Sequence, residues 1–523
     1  MKAARDPNGA AASGLRHWPD FDSDVAAWHA ALAERRAGRR SNFGGLAARL
    51  TAFVRGEVDP AVSAWLRLDG RTRQSELHDA ADLLNELGIW DGHEDLALWR
   101  SDLLRPWPSA ALASVRATPD LPAEAPRLEW PFVAMDNDAP HEVDDALYLE
   151  TTPAGPRLHV AIAHPTAWLP ADSPADLEAR RRGATLYHPR HVVGMLPDAL
   201  ARDAASLQVG VWRPALVVSV TLDAAGMPHA ESLQEAWVRV QHAWSYSQVA
   251  RALAGAEVSG VDRAQLDALI AFGLAAEAAR IRNGAWLLYR PDVELTAPPF
   301  APVAVLQVQQ TSPGRRLVTE AMVQACAAIG QLGKRHHLAL PYRTQPRPSQ
   351  PPLPPGLYDD PAQCFRMFRV LEAGATQPTP GAHGMMAVPA YVQFSSPLRR
   401  YTDLIAHRQL TAWLRGQPLP HTAKEIADHV STAEEGARER RQVQRKAAHY
   451  FKLLKLAGQP PERRLAGQVV RVLAAGDRSV FIPELALEAP LRSPTLGVGD
   501  HVELTVREVN PARGTLELGL VGR

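Results

Sequence analysis

Trp130-Pro131-Phe132-Val133-Ala134-Met135-Asp136-Asn137-Asp138-Ala139-Pro140-His141-Glu142-Val143-Asp144-Asp145-Ala146-Leu147-Tyr148-Leu149 is the stretch whose reading decides the fold. An apolar run with strand character ends at Asp136, a turn-forming loop follows, and a second apolar strand leaves from Asp144-Asp145. Asp136, Glu142, Asp144 and Asp145 therefore converge where two strand ends meet. Two carboxylates about 4 Å apart repel by about 4 kcal/mol at an effective dielectric constant of about 20. Three or four held together must raise their pKa values or take up cations. Hard oxygen donors in that number suit magnesium, or manganese as a substitute, rather than zinc. Such a cluster fits metal-assisted hydrolysis at phosphorus, with water as the nucleophile. An EF-hand is excluded, because Pro140 takes a ligand position and His141 the position that needs glycine. The plain alternative is a solvated acidic loop between two strands, and spacing alone leaves both readings open.

Outward from this stretch, strands and helices mix from Leu128 to about Ala457, which predicts a mixed α/β core over 127–460. The segment 463–523 changes character. Leu465–Val472, Ser479–Ile482, Asp500–Val509 and Thr515–Leu518 alternate as short strands between Gly, Pro and Asp turns. That rhythm predicts a five-stranded OB-type barrel, a fold that commonly binds single-stranded nucleic acid. Arg471 and Phe481 are its candidate RNA-binding residues. On the other side, residues 1–15 read as a flexible tail and 16–104 as helical. Ser75 is placed to cap Glu76–Leu87, and Ile89–Trp99 to form a short hairpin about Asp91-Gly92. Helices followed by a hairpin predict a winged-helix-like, nucleic-acid-binding domain, with a small helical packing domain as the alternative. The prolines of 105–126 predict a linker, and those of Pro346–Pro355 a stiff surface loop. The expected fold class is thus multidomain α+β, with a helical N-terminal domain, a mixed α/β catalytic core and a C-terminal OB-type barrel.

The 523 residues suffice for about three domains. A hydrophobic share of 46% beside 22% charged residues excludes global disorder. No window approaches the roughly 18–20 apolar residues of a membrane span. No apolar stretch follows Met1-Lys2, so no secretory leader is expected. Cys326 and Cys364 cannot build a disulfide framework or a metal knuckle, and a cytoplasmic setting follows as the default. The formal net charge is zero, which excludes whole-molecule attraction to nucleic acid. Local patches must supply it, and the run from Arg438 to Arg464 is one candidate, though such runs are often merely wet helix faces. Six of the 57 basic residues are lysines, an arginine bias that genomic composition explains by itself.

Phe132–Asp136 followed by Glu142–Tyr148 resembles the signature of the ribonuclease II family, whose catalytic unit is the RNB domain. Further blocks match in order: Ala163–Trp168, Thr185–Pro189, Met195-Leu196-Pro197 with Ala204–Leu207, Leu317–Met322, and Phe394–Asp403 with His407-Arg408. The resemblance covers roughly 130–523. It implies a processive 3′-to-5′ exoribonuclease that hydrolyses single-stranded RNA to nucleoside 5′-monophosphates in a channel too narrow for a duplex. It makes Asp136, Glu142, Asp144 and Asp145 the magnesium carboxylates, with Asp144 the most critical. It makes Tyr187 the ring that stacks on the 3′-terminal base, a contact of about 1–3 kcal/mol that ignores sequence. Arg399 takes the place of an arginine at the scissile phosphate, with Arg400 beside it on the RNA. Ser396 and Pro397 would open a helix that presents Arg399 in its first turn. Glu320 matches a glutamate near the reacting phosphate, although an ion pair with Arg316 four residues earlier would equally explain it.

The chain departs from the family at Glu142, where aspartate is usual, at His164 in place of an aspartate, and at Gln345 in place of a histidine. The helical N-terminal segment stands where cold-shock barrels are usual. With no Lys-rich tail after Arg523, ribonuclease II is the closer expectation than ribonuclease R. A monomer is expected, with single-stranded RNA as partner and at most weak DNA binding without cleavage. Two other readings stay open: a catalytically silent RNA-binding or regulatory protein on the same scaffold, and a transcription regulator led by residues 1–110.

Overall fold

The computed structural model describes residues 21–37, 45–68, 76–460, 462–473 and 476–521, so the expected tail 1–15 and the Ser75 cap lie outside the described residues. The chain divides into two compact units, Met1–Pro106 with Ala297–Pro302, and Trp107–Thr296 with Val303–Arg523.

In the first unit, Leu46, Leu50 and Val54 recur at four-residue spacing on the helix Leu46–Val54 and are fully buried. They pack with Trp65, whose ring meets the edge of Trp28 at 5.4 Å. Arg49 holds both oxygens of Asp59 at 2.8 Å, while Asp59 also accepts from the amides of Ala61 and Val62 that open the next helix. The expected wing is corrected here. Residues 89–95 form no strand, and the helix Leu96–Arg100 follows them. Gly92 N–H is captured by the Asn85 side chain at 2.9 Å, and Asp95 caps Leu96–Arg100 through Leu98 N–H at 3.1 Å. The turn residues are thus consumed in joining two helices, and Trp90 stacks on Trp99 across the join at 5.4 Å.

The second unit is organised by a closed barrel of β1 (Arg127–Asp136), β2 (Asp145–Thr152), β3 (Gly155–Ala163), β6 (Trp212–Leu222) and β7 (Pro228–Ser245). The short β4 (Leu186–Tyr187) and β5 (Val192–Val193) pair as a separate ribbon. Successive neighbours are antiparallel, and β1 closes the barrel by running parallel to β7 with Asp136 opposite Ser245. Alternate side chains face two cores. Val133, Met135 and Leu147 pack with the helices Arg263–Arg282 and Pro313–Arg335, while Phe132, Ala134 and Ala146 pack with Leu398, Tyr401 and Leu404. Both faces are covered, which is why the strand reads as an unbroken apolar run.

Residues 107–126 are not a free linker. Arg116 and Asp120 donate their amides to Trp168 O at 2.9 Å and Ala167 O at 2.8 Å, and Asp120 O accepts from Arg415 at 2.8 Å. The prolines set an extended path whose polar groups the barrel unit satisfies. The 35-residue helix Ala423–Ala457, started by a Thr422–Glu425 capping box, runs on to the C-terminal sheet. There five antiparallel strands stand in the order Leu487–Leu491, Arg478–Ile482, Arg464–Val472, His501–Asn510, Thr515–Leu520, and the sheet curls until it nearly closes. The strand Leu487–Leu491 is one that sequence patterning did not separate. No helix among the described residues is long and apolar enough to cross a membrane.

Candidate active site

β1 delivers Asp136 at its last residue and β2 begins at Asp145, so both carboxylates stand at one mouth of the barrel. The intervening loop is pinned from below. Val143 N–H donates to Ser206 Oγ at 3.0 Å, and Val143 O accepts from Leu207 N–H at 3.0 Å. Asp144, 7% exposed, accepts from Leu398 N–H at 2.9 Å and from Arg399 Nε at 3.2 Å. Arg399 also donates to Ser396 Oγ at 3.0 Å.

The 395–400 turn is fixed on two sides. Asp403, fully buried, accepts from Ser396 N–H at 2.8 Å and from Arg400 at 2.7 Å. On the other side, Thr185 N–H donates to Arg399 O at 3.1 Å and Tyr401 N–H to Gly183 O at 2.9 Å. Gly183, at φ +69°, lies so close to the long helix that a Cβ would stand 2.0 Å from Ala433 O. This staple brings Tyr187 beside the carboxylates, where its hydroxyl donates to Glu142 Oε1. His141 Nδ1 pairs with Glu142 Oε2.

Together these groups line a cleft of about 610 Å³, whose walls include Asp136, Glu142, Asp144, Asp145, Tyr187 and Arg399, with Gln444 and Ala448 from the long helix. Burial pushes the Asp144 carboxyl up to about 7, against the pull of Arg399 and of Leu398 N–H. Burial, with the charges of Asp144 and Asp136, pushes Asp145 up to about 8. Asp136 is raised by burial too, with Asn137 N–H, Arg399 and Arg315 opposing. The Tyr187 phenol is held well above its ordinary value by burial and by the Glu142 carboxylate. Burial first, and mutual repulsion second, therefore makes these carboxyls costly to ionise without a cation. No three His, Cys, Asp or Glu side chains among the described residues close tightly around a single point. The donor chemistry nevertheless fits a hard divalent ion, because oxygen ligands with raised pKa values gain most when a cation replaces their protons.

Several sequence expectations change. Arg399 is not in a helical first turn: Arg400 is extended, bridges Ala184, and the helix begins at Tyr401. Arg400 spends its guanidinium on Asp403 and does not line the cleft. Glu320 is fully buried between helices and takes two hydrogen bonds from Arg280, while Arg316 pairs with Glu277 instead. Glu320 does not line the cleft. In the C-terminal sheet Phe481 is 1% exposed and packs 5.8 Å from Phe365, so it offers no face for a base. Arg471 lies on the same sheet, ion-paired to Glu488. The basic run is not one wet face either: Arg440 is 2% exposed and Lys452 donates to Ala486 O at 2.9 Å.

Sequence reasoning missed the Leu398 amide, the His141 contact and Asn137, which joins Asp136 to Glu294 through hydrogen bonds of 2.7 Å at each end. Ser206 lies in a block matched by resemblance, and its role as the loop's anchor needed the fold to show it.

The RNB domain pattern matches residues 128–353 and 360–416. The chain belongs to the RNB family. Among relatives of this RNB chain, an uncharacterized ribonuclease of Synechocystis is 31% identical over 85% of the chain and 67% of that protein. The ribonuclease II, chloroplastic/mitochondrial, of Arabidopsis thaliana is 27% identical over 83% of the chain. The chain spans only 55% of that second relative. Among solved structures, the Dss1 exoribonuclease of Candida glabrata superposes with a TM-score of 0.71 at 19% identity, covering 97% of this chain and 70% of that one. Yeast Ssd1, a pseudonuclease, superposes at 0.58 with 17% identity, covering 78% and 55%. At those identities the structures speak for the fold alone.

Proposed function

We propose that the chain is a hydrolytic 3′-to-5′ exoribonuclease acting on single-stranded RNA and releasing nucleoside 5′-monophosphates. The observation that carries this reading is the meeting, in one cleft, of three carboxyls with raised pKa values, the Arg399 guanidinium and the Tyr187 ring. Asp136, Asp144 and Asp145 would hold magnesium, or manganese in its place. That ion supplies charge neutralisation at the phosphate and a more acidic water.

The protein's own groups do the rest. Leu398 N–H orients Asp144 and leaves its second oxygen to Arg399. The Arg399 guanidinium, 44% exposed, reaches the cleft and offsets charge growing on the phosphoryl oxygens. The Tyr187 ring stacks on the terminal base, which suits an enzyme indifferent to sequence. Matching relatives named ribonuclease II and exoribonuclease 2 supports this reading.

The likeness to a pseudonuclease raises a second reading, an RNA-binding protein without turnover. The presence of all four carboxylates and Arg399 favours the enzyme. End-labelled single-stranded RNA, incubated with and without EDTA, separates them. Mononucleotides appearing from the 3′ end only without EDTA support the exoribonuclease, whereas binding with an intact substrate refutes it.

A further inference from the structure

Glu142 differs from the other three carboxylates in what its oxygens touch, although two of them feel its charge. Asp136, Asp144 and Asp145 each feel burial first; Asp136 and Asp144 also feel the Glu142 charge, and Asp145 feels Asp144 and Asp136. Glu142 is different in its partners. One carboxylate oxygen accepts from the Tyr187 hydroxyl and the other is taken by His141. Its side chain is also one methylene longer than aspartate, and its carboxylate meets the Tyr187 hydroxyl on β4.

We propose that Glu142 is a positioning residue for Tyr187, and that cation binding falls to Asp136, Asp144 and Asp145. This rests on the exoribonuclease reading for the role of the Tyr187 ring, and deepens it. Tyr187 sits on a two-residue strand whose backbone is held by pairing with Val192 and by the reciprocal His188–His191 hydrogen bonds, so the freedom left to it is that of its side-chain torsions. A tyrosine ring anchored only at Cβ swings about two torsions; one held also at its hydroxyl presents a fixed face. The anchor comes from the carboxylate loop itself. The ring that receives the base is thereby tied to the loop that carries the reacting centre, and His141 holds the Glu142 carboxylate from its far side.

The test uses the full chain in EDTA, so that neither turnover nor a bound ion enters. The affinity of a fluorescent single-stranded oligoribonucleotide is measured for Tyr187→Phe, Glu142→Ala, the double variant and Glu142→Gln. Losing the hydrogen bond weakens binding by about fivefold in either single variant, and the double variant is no worse, because one interaction is removed in each case. Glu142→Gln keeps an acceptor for the phenol and binds within about twofold of the parent. In parallel, calorimetric manganese titration of RNA-free protein shows Glu142→Ala within about threefold of the parent, and Asp145→Ala weakened by tenfold or more. Additive losses in the double variant, or manganese binding abolished by Glu142→Ala as fully as by Asp145→Ala, overturn the assignment. A parent protein that binds the oligomer but never cleaves it, with these couplings intact, sinks only the exoribonuclease reading.

Discussion

Replacing Asp144 with asparagine should make the cation-free protein more stable while removing its turnover. The fold raises this carboxyl from 3.8 to about 7. An acid raised by burial costs stability once it ionises, so the penalty begins above the unfolded value near 3.8 and is complete above about 7. At about 1.4 kcal/mol for each unit, ionising Asp144 in the fold costs about 4 kcal/mol at pH 8. Asparagine removes that cost and keeps an oxygen for Leu398 N–H. The pull of Arg399 on the carboxylate is already contained in the value of about 7, so losing the pair subtracts nothing further. The variant should therefore unfold about 2–4 kcal/mol later than the parent in EDTA at pH 8. The gap should shrink below about 1 kcal/mol near pH 4, where the folded carboxyl is neutral and the unfolded one is only about half ionised. Denaturant titrations at the two pH values measure it. With magnesium present, the same variant should lose turnover by a factor on the order of 10³ and keep its RNA affinity. A variant no more stable than the parent at pH 8, or one that degrades RNA at the parental rate, refutes the reasoning.

Arg399→Ala should lower single-turnover cleavage by roughly 10²–10³, the loss of one donor to the developing charge, with little change in the unfolding midpoint. Glu320→Ala strands the buried Arg280 and should cost about 3–5 kcal/mol in denaturation, whereas Glu320→Leu with Arg280→Met should recover most of it. His383, His407 and His421 are buried, with pKa values lowered to about 4, 3 and 4. As pH falls through about 6.5 the unfolded chain takes up these protons and the fold does not. Each histidine then removes about 1.4 kcal/mol of stability per pH unit until its folded value is reached. Calorimetric scans from pH 7 to 5 on the parent and on His407→Gln should differ in slope by that single share.

The carboxylate pair of strands was readable because local pattern and global role agree: β1 and β2 are apolar runs, and their acidic residues fall at the ends. The wing was misread because an Asp-Gly pair marks a turn without stating what it joins, and Asp95 made that turn a helix start. Glu320, Arg400 and Phe481 share another lesson. Sequence identifies the residue type, but only packing decides whether a charge faces substrate or a buried partner, as Arg280 and Asp403 decide here. For Phe481 the deciding neighbour, Phe365, lies in a different segment and leaves no periodic trace. The tie between Ser396–Arg400 and Gly183–Thr185 was equally invisible, since backbone hydrogen bonds between distant loops have no residue code.

Asp144 and the amide that orients it are 254 residues apart in the chain. During synthesis the amino-terminal acidic loop therefore emerges long before the guanidinium that completes its charge balance. A half-made polypeptide carries the acids without their organiser. On the exoribonuclease reading, cutting power would arise only once both segments have been made and have met.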